Sequence, residues 1–156
     1  MTPAISTAIK AKIHYVVHEY SHEPSEESYG LEAANKLGVP EGRVFKTLVV
    51  NTGVKEFAVG VVPVSSMLSM KLIAKAIGSK KASMSLASDV ERTTGYILGG
   101  VSPLGQKNKL KTIIDSSALE YPTVFVSAGR RGLEIELKPN DLLSITQAKF
   151  AEICQE

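Results

Sequence analysis

Short strand-like and helix-like segments alternate irregularly along this chain, and a glycine, a proline or a polar turn closes nearly every one. Strands and helices mixed in this way point to an α+β domain rather than a regular βαβ repeat. No internal repeat and no linker interrupts the sequence, so residues 1–156 are expected to form one domain with enough chain to bury a core. Hydrophobic residues make up 44% and charged residues 22%, the balance of an ordered soluble globule. No apolar run approaches a membrane span, and the N-terminus lacks a basic region followed by an apolar one. The single cysteine, Cys154, cannot form an internal disulfide, and the expected compartment is the cytoplasm.

The local signals predict particular elements. Residues 3–12 read as a helix, with Thr2 as N-cap and Pro3 at the first helical position. Residues 29–37 and 71–77 read as helices stopped by Gly38 and Gly78. Residues 44–51 and 56–63 read as two strands turning around Asn51-Thr52-Gly53. Further strands are expected at 13–20, 82–85, 96–98, 112–115, 123–127 and 133–137. Residues 87–92 read as a helical turn begun by an acidic or Ser cap, 116–119 as a turn, 139–143 as the start of a short helix, and 146–154 as a terminal helix.

Several chemistries have no sequence support. There is no Gly-x-Ser-x-Gly elbow, HExxH, CxxC or P-loop. His14, His18 and His22 are spaced by four, but on a strand their Cα atoms would stand about 13 Å apart, too far to share one ion. His18 and His22 are expected instead to pack or hydrogen-bond near Tyr20. Cys154, in an amphipathic C-terminal segment, reads as a structural thiol. No metal and no cofactor are expected.

Three features carry chemical interest. The run Tyr96-Ile97-Leu98 stops at Gly99-Gly100, and Ser102-Pro103 follow. Such a loop can present free N–H groups to an oxygen, or it can simply be a packed turn. Lys46 follows Phe45 and shares a strand face with Leu48 and Val50, which makes it either a cation in a pocket or a surface lysine at a strand's start. A net charge of +2 does not itself suggest nucleic acid. Basic clusters at Lys71/Lys75/Lys80/Lys81, at Lys107/Lys109/Lys111 and at Arg130-Arg131 would form a phosphate track only if two of them border one cleft.

Five blocks occur in a familiar order: His18-Glu19-Tyr20-Ser21-His22-Glu23-Pro24, Phe45-Lys46-Thr47-Leu48-Val49-Val50, Thr94 to Lys107, Val126 to Leu133, and the tail Ala148 to Ile153. With them the chain resembles the YbaK family, bacterial proteins that clear mischarged aminoacyl-tRNA, and within it the branch acting on Cys-tRNA(Pro). The resemblance implies a mixed sheet curled into a barrel-like core flanked by helices. It implies Lys46 as the active-site lysine. It implies substrate-binding roles for Tyr20, Tyr29, Gly99, Gly100, Ser102, Pro103, Ser127, Gly129 and Glu134. Many relatives carry Phe where Tyr29 stands, close relatives carry Asp where Glu134 stands, and Ala128 replaces a common glycine. The implied activity is deacylation of Cys-tRNA(Pro), or also of Cys-tRNA(Cys), in trans, with the substrate's own thiol as nucleophile. The implied partners are tRNA and, transiently, prolyl-tRNA synthetase. A sister branch that removes alanine, and a non-catalytic module that binds tRNA or a synthetase, remain as alternatives.

Overall fold

The computed structural model describes residues 1–23 and 28–156. Pro24, the last residue of the first block quoted above, lies outside the described residues. The chain runs α1 (Pro3–Ala11), β1 (Tyr15–Glu19), α2 (Tyr29–Leu37), β2 (Phe45–Gly53), β3 (Glu56–Pro63), α3 (Met70–Ile77), β4 (Ser83–Met84), α4 (Ala87–Thr94), β5 (Lys111–Asp115), β6 (Val124–Arg130), β7 (Leu133–Leu137), α5 (Pro139–Thr146) and β8 (Lys149–Ala151). Single 3-10 turns precede β2 at Glu41–Arg43 and β6 at Ser116–Glu120.

Local chemistry explains the helix ends. Thr2, Ser28 and Ser69 cap α1, α2 and α3 by accepting from the third residue on, which satisfies an amide with no partner in the helix. Gly38 and Gly78 close α2 and α3 in the left-handed conformation.

The strands form two sheets, in the orders β1-β7-β6 and β4-β2-β3-β5-β8. The larger is mixed: β2 runs antiparallel to β3 and β4, while β3, β5 and β8 are parallel. An isolated bridge between Val44 and Phe125 joins the two sheets at one corner. Their inner faces enclose a single core. Phe45, Val49, Val59, Val61 and Ile114 come from one sheet, and Val124, Val126, Leu133, Ile135 and Leu137 from the other. Ala4 and Ala8 of α1 close one side of it. This is the curled, barrel-like α+β arrangement that the resemblance implied. On the outer face of the larger sheet, α3 packs through Ile73 on Val50, Ala58, Val62 and Ile113. α2 packs through Ala33 and Ala34 on Val44, Val64 and Phe125, over the corner where the sheets meet.

Three expectations are corrected. Residues 96–98 are not a strand: they follow the left-handed Gly95, and Ile97 and Leu98 turn outwards while Tyr96 is buried. Residues 146–154 are not a helix. Thr146 ends α5 at a left-handed Gln147, after which Lys149–Ala151 pairs with the open edge of β5. Asp115 then accepts from the Ile153 N–H at 3.0 Å and holds the tail extended. The β2–β3 turn comes later than Asn51-Thr52-Gly53, because β2 itself continues to Gly53 and Lys55 supplies the positive φ of 56°.

Candidate functional site

β2 alternates in the expected way. Phe45 and Val49 enter the shared core, whereas Leu48 and Val50, and with them Lys46, belong to the face on which α3 packs. Beside the Val44–Phe125 bridge, where the two sheets meet, lies a cavity of about 270 Å³. Its floor comes from Phe45–Leu48 of β2, Ser127 of β6 and Glu134 of β7. Its walls come from Tyr20, from Ser28–Gly30 at the start of α2, and from Leu98, Gly99 and Val101.

The cavity thus gathers Lys46, Tyr20, Tyr29, Gly99, Ser127 and Glu134, six of the ten residues singled out from sequence. Gly100, Ser102, Pro103 and Gly129 do not line it. The Gly100 N–H donates to the Ile97 carbonyl at 3.0 Å, and a Cβ here would lie 2.8 Å from the Arg130 Cα. Ser102 is fully buried, and its hydroxyl accepts from the Leu104 N–H at 3.2 Å. Pro103 lines a separate depression beside Thr7 and Ile145. The Gly129 N–H donates to the Ser127 hydroxyl. These residues shape the loops behind the wall. Thr47 was not singled out, although a polar residue between two inward apolar ones is the signal that marks it. Its hydroxyl is buried and lacks a hydrogen-bond partner among the described residues.

The electrostatics are unusual. Burial lowers the Lys46 ammonium from its ordinary pKa, and among the described residues no carboxylate forms a salt bridge with it. Glu134 is 6% exposed, and burial pushes its carboxyl up to about 8. At neutral pH the Glu134 carboxyl is therefore mostly protonated, and among the described residues no ion pair with Lys46 is formed. Burial, and next the nearby Glu134, push the Tyr20 phenol up to about 12.

The rim is built by stacking. The Arg131 guanidinium lies 3.8 Å above the Tyr29 ring and hydrogen-bonds its hydroxyl. Gly99 packs against both, and a Cβ there would sit 2.7 Å from the Tyr29 ring with φ at +92°. Arg131, from one of the basic clusters of the sequence reading, thus stands beside the cavity. His22 hydrogen-bonds the buried Glu32 at 2.7 Å and faces Arg131 at 3.4 Å. Burial alone would raise the Glu32 carboxyl, but bonds from His22 and the Glu23 N–H outweigh it and hold it below its ordinary value. His18 instead hydrogen-bonds Glu136 at 2.8 Å, alongside Arg43 and Thr123. The histidines therefore serve different carboxylates.

A family model described as an aminoacyl-tRNA editing domain matches residues 23–145. The chain belongs to the aminoacyl-tRNA editing family. Among its relatives is an Enterococcus faecalis protein named "Putative Cys-tRNA(Pro)/Cys-tRNA(Cys) deacylase EbsC", 41% identical over 97% of this chain and 92% of that protein. The Escherichia coli K12 protein named multifunctional Ser/Thr-tRNA deacylase ProXp-y is 26% identical over 76% of this chain and 74% of its own. The fold matches a crystal structure titled as a "putative trans-editing enzyme for prolyl tRNA synthetase", with a TM-score of 0.84 at 24% identity over 99% of this chain and 96% of that one. Within this editing domain, every cavity residue except Tyr20 falls inside the matched span.

Cys154 does not line the cavity; it sits in the extended tail bridged to Leu68, within electrostatic range of Lys46. Burial, then the neighbouring Asp115, push its thiol up to about 11, which leaves almost no thiolate at neutral pH. Cys154→Ser is expected to keep deacylation within about twofold of the parent and to cost at most ~1 kcal/mol of stability. Single-turnover assays and thermal unfolding of the variant check this.

Proposed function

We propose that this editing-family protein removes cysteine in trans from mischarged Cys-tRNA(Pro), with the substrate's thiol as nucleophile. One observation carries the reading: the cavity has hydroxyls but no activated one. Among the described residues, neither Ser28, Thr47 nor Ser127 bonds through its hydroxyl to an imidazole or a carboxylate. A serine or threonine without a base is a poor nucleophile. An aminoacyl ester is already activated, so a substrate that brings its own thiol needs only to be held in position.

The balance is simple. The cysteine sulfur bonds to the ester carbonyl carbon, and the bond from that carbon to the ribose oxygen breaks. The thiol proton ends on the ribose hydroxyl, leaving free tRNA and a cyclic thiolactone that water opens. Lys46 holds the terminal ribose or phosphate and stabilises the negative charge that develops on oxygen. Tyr20 and Tyr29 wall the aminoacyl group, and Gly99 keeps the wall thin. Gly100, Ser102, Pro103 and Gly129 act indirectly, by fixing the loops. Cysteine and proline have similar volumes, so a synthetase pocket for proline separates them poorly and a second site is needed. Transient contact with prolyl-tRNA synthetase would supply tRNA(Pro). Among the described residues, no helix is long and apolar enough to cross a membrane.

The test is single-turnover loss of the ester from Cys-, Ser-, Ala- and Pro-tRNA(Pro). Cysteine esters are expected to be cleaved at least ~100-fold faster than serine esters, because a hydroxyl in the same place is almost never ionised at neutral pH. Equal rates for the two would rule out thiol attack.

A further inference from the structure

The part of β2 that floors the cavity has an open edge, and its hydrogen-bonding groups can be assigned one by one. The Val64 N–H donates to the Val44 carbonyl at 2.8 Å, which makes Val44/Val64 a hydrogen-bonded pair of the β2–β3 ladder. Such pairs recur at every second residue, so Lys46/Val62, Leu48/Gly60 and Val50/Ala58 also exchange their N–H and C=O groups. Phe45, Thr47 and Val49 then point their main-chain groups away from β3. Two details agree with this. Phe45 is opposite Pro63, which has no N–H to offer. The Val49 carbonyl accepts from the Ser85 N–H at 3.1 Å, on the β4 side.

β4 pairs only with Val50 and Asn51, and the chain then turns into α4 at Ala87. Among the described residues, β6 bridges this edge only at Val44 and Phe125. Between these two ends Thr47 has no ladder partner on its outer side among the described residues, and it lines the cavity. Its hydroxyl, on a residue 9% exposed, also lacks a partner among the described residues. A main-chain donor and acceptor without a ladder partner at the floor of a cavity are completed by water or by a ligand.

We infer that Thr47 reads the aminoacyl group as though it were one residue of a missing strand. Resting on the deacylase reading above, the Thr47 N–H donates to the ester carbonyl oxygen and the Thr47 carbonyl accepts from the α-ammonium. This is the two-bond exchange of an antiparallel pair, and the ammonium makes one bond charge-assisted. The arrangement is common to all α-aminoacyl esters. It positions the scissile carbonyl without selecting a side chain, which leaves that choice to the walls and to the thiol's own reactivity.

The experiment uses the full chain, labelled for NMR, with 3′-cysteinylamino-3′-deoxyadenosine as the probe; its amide replaces the labile ester. In the saturated complex the Thr47 amide is expected to shift and its hydrogen exchange to slow at least tenfold. The Lys46 amide, already paired with β3, should not change its exchange. The Thr47 carbonyl should shift with this probe but not with the 3-mercaptopropionyl analogue, which lacks the α-amine and should bind at least tenfold more weakly. A saturated complex in which the Thr47 amide and carbonyl stay silent overturns the inference, as does equal binding of the two probes. Wild-type turnover separates the two levels. An active deacylase with a silent Thr47 sinks this pairing alone, whereas a chain that cleaves no aminoacyl ester sinks the functional reading with it.

Discussion

Lys46→Ala is expected to reduce single-turnover deacylation of Cys-tRNA(Pro) by at least ~100-fold while leaving the protein folded. The ammonium is partly desolvated in the cavity, and among the described residues it has no carboxylate partner. A charge held in a water-poor site is a strong stabiliser of charge that develops during reaction, and removing one such group typically costs about 10²–10³ in rate. Removing it should not harm folding, because no buried anion is left alone: Glu134, the nearby acid, is neutral at pH 7. Lys46→Arg keeps the charge but brings a wider, planar head into a cavity of about 270 Å³, so most activity should still be lost. Circular dichroism and thermal unfolding serve as folding controls. A folded alanine variant with the parent's rate would show that the chemistry lies elsewhere.

Glu134→Gln is expected to change the shape of the stability–pH curve. The Glu134 carboxyl loses its proton near 4.5 when exposed and near 8 in the fold, because burial penalises the anion. Between those two values the folded state holds one proton more than the unfolded chain. Stability therefore falls as pH rises through this window and levels off above about 8. Below 4.5 both states are protonated and the penalty vanishes. The full penalty is on the order of 5 kcal/mol. Glutamine keeps the shape without the ionisation, so the variant should gain on the parent steadily from pH 4.5 to 8, by roughly ten degrees in Tm for a chain of this size. Glu32 and Glu136 are held below their ordinary values and act in the opposite direction at acid pH. The difference between parent and variant cancels them. Parallel melting curves from pH 4 to 9 would mean that Glu134 is ionised in the fold.

Legibility in the sequence followed the range of the interactions. α2, β3 and β7 have the bounds read from residues alone, because their ends depend on neighbours such as Ser28 and Gly38. β8 could not be read, because Lys149–Ala151 is a strand only where β5, distant in sequence, offers an edge. An amphipathic run such as 146–154 fits a helix equally well. The site divides similarly. Lys46, Tyr20, Tyr29, Gly99, Ser127 and Glu134 were legible through their motifs. The raised pKa of Glu134, the absence of a carboxylate partner for Lys46 among the described residues and the open edge at Thr47 are properties of the place where two sheets meet, which no single segment encodes.

The loop behind the cavity wall has a further consequence. Thr94 and Tyr96 anchor its entry, the Tyr96 hydroxyl donates to the Leu104 carbonyl at 2.6 Å, and the Gln106 side chain donates to the Ser102 carbonyl at 3.0 Å. The Thr2 hydroxyl at the head of α1 holds the neighbouring Ala128 carbonyl. Conformational entropy of this wall is lost during folding, before any ligand arrives. Association then needs no ordering step there, so encounter with tRNA ends can be fast and the complex short-lived. For a protein that must sample many correctly charged tRNAs and release them unharmed, a stiff wall favours rapid inspection over tight retention.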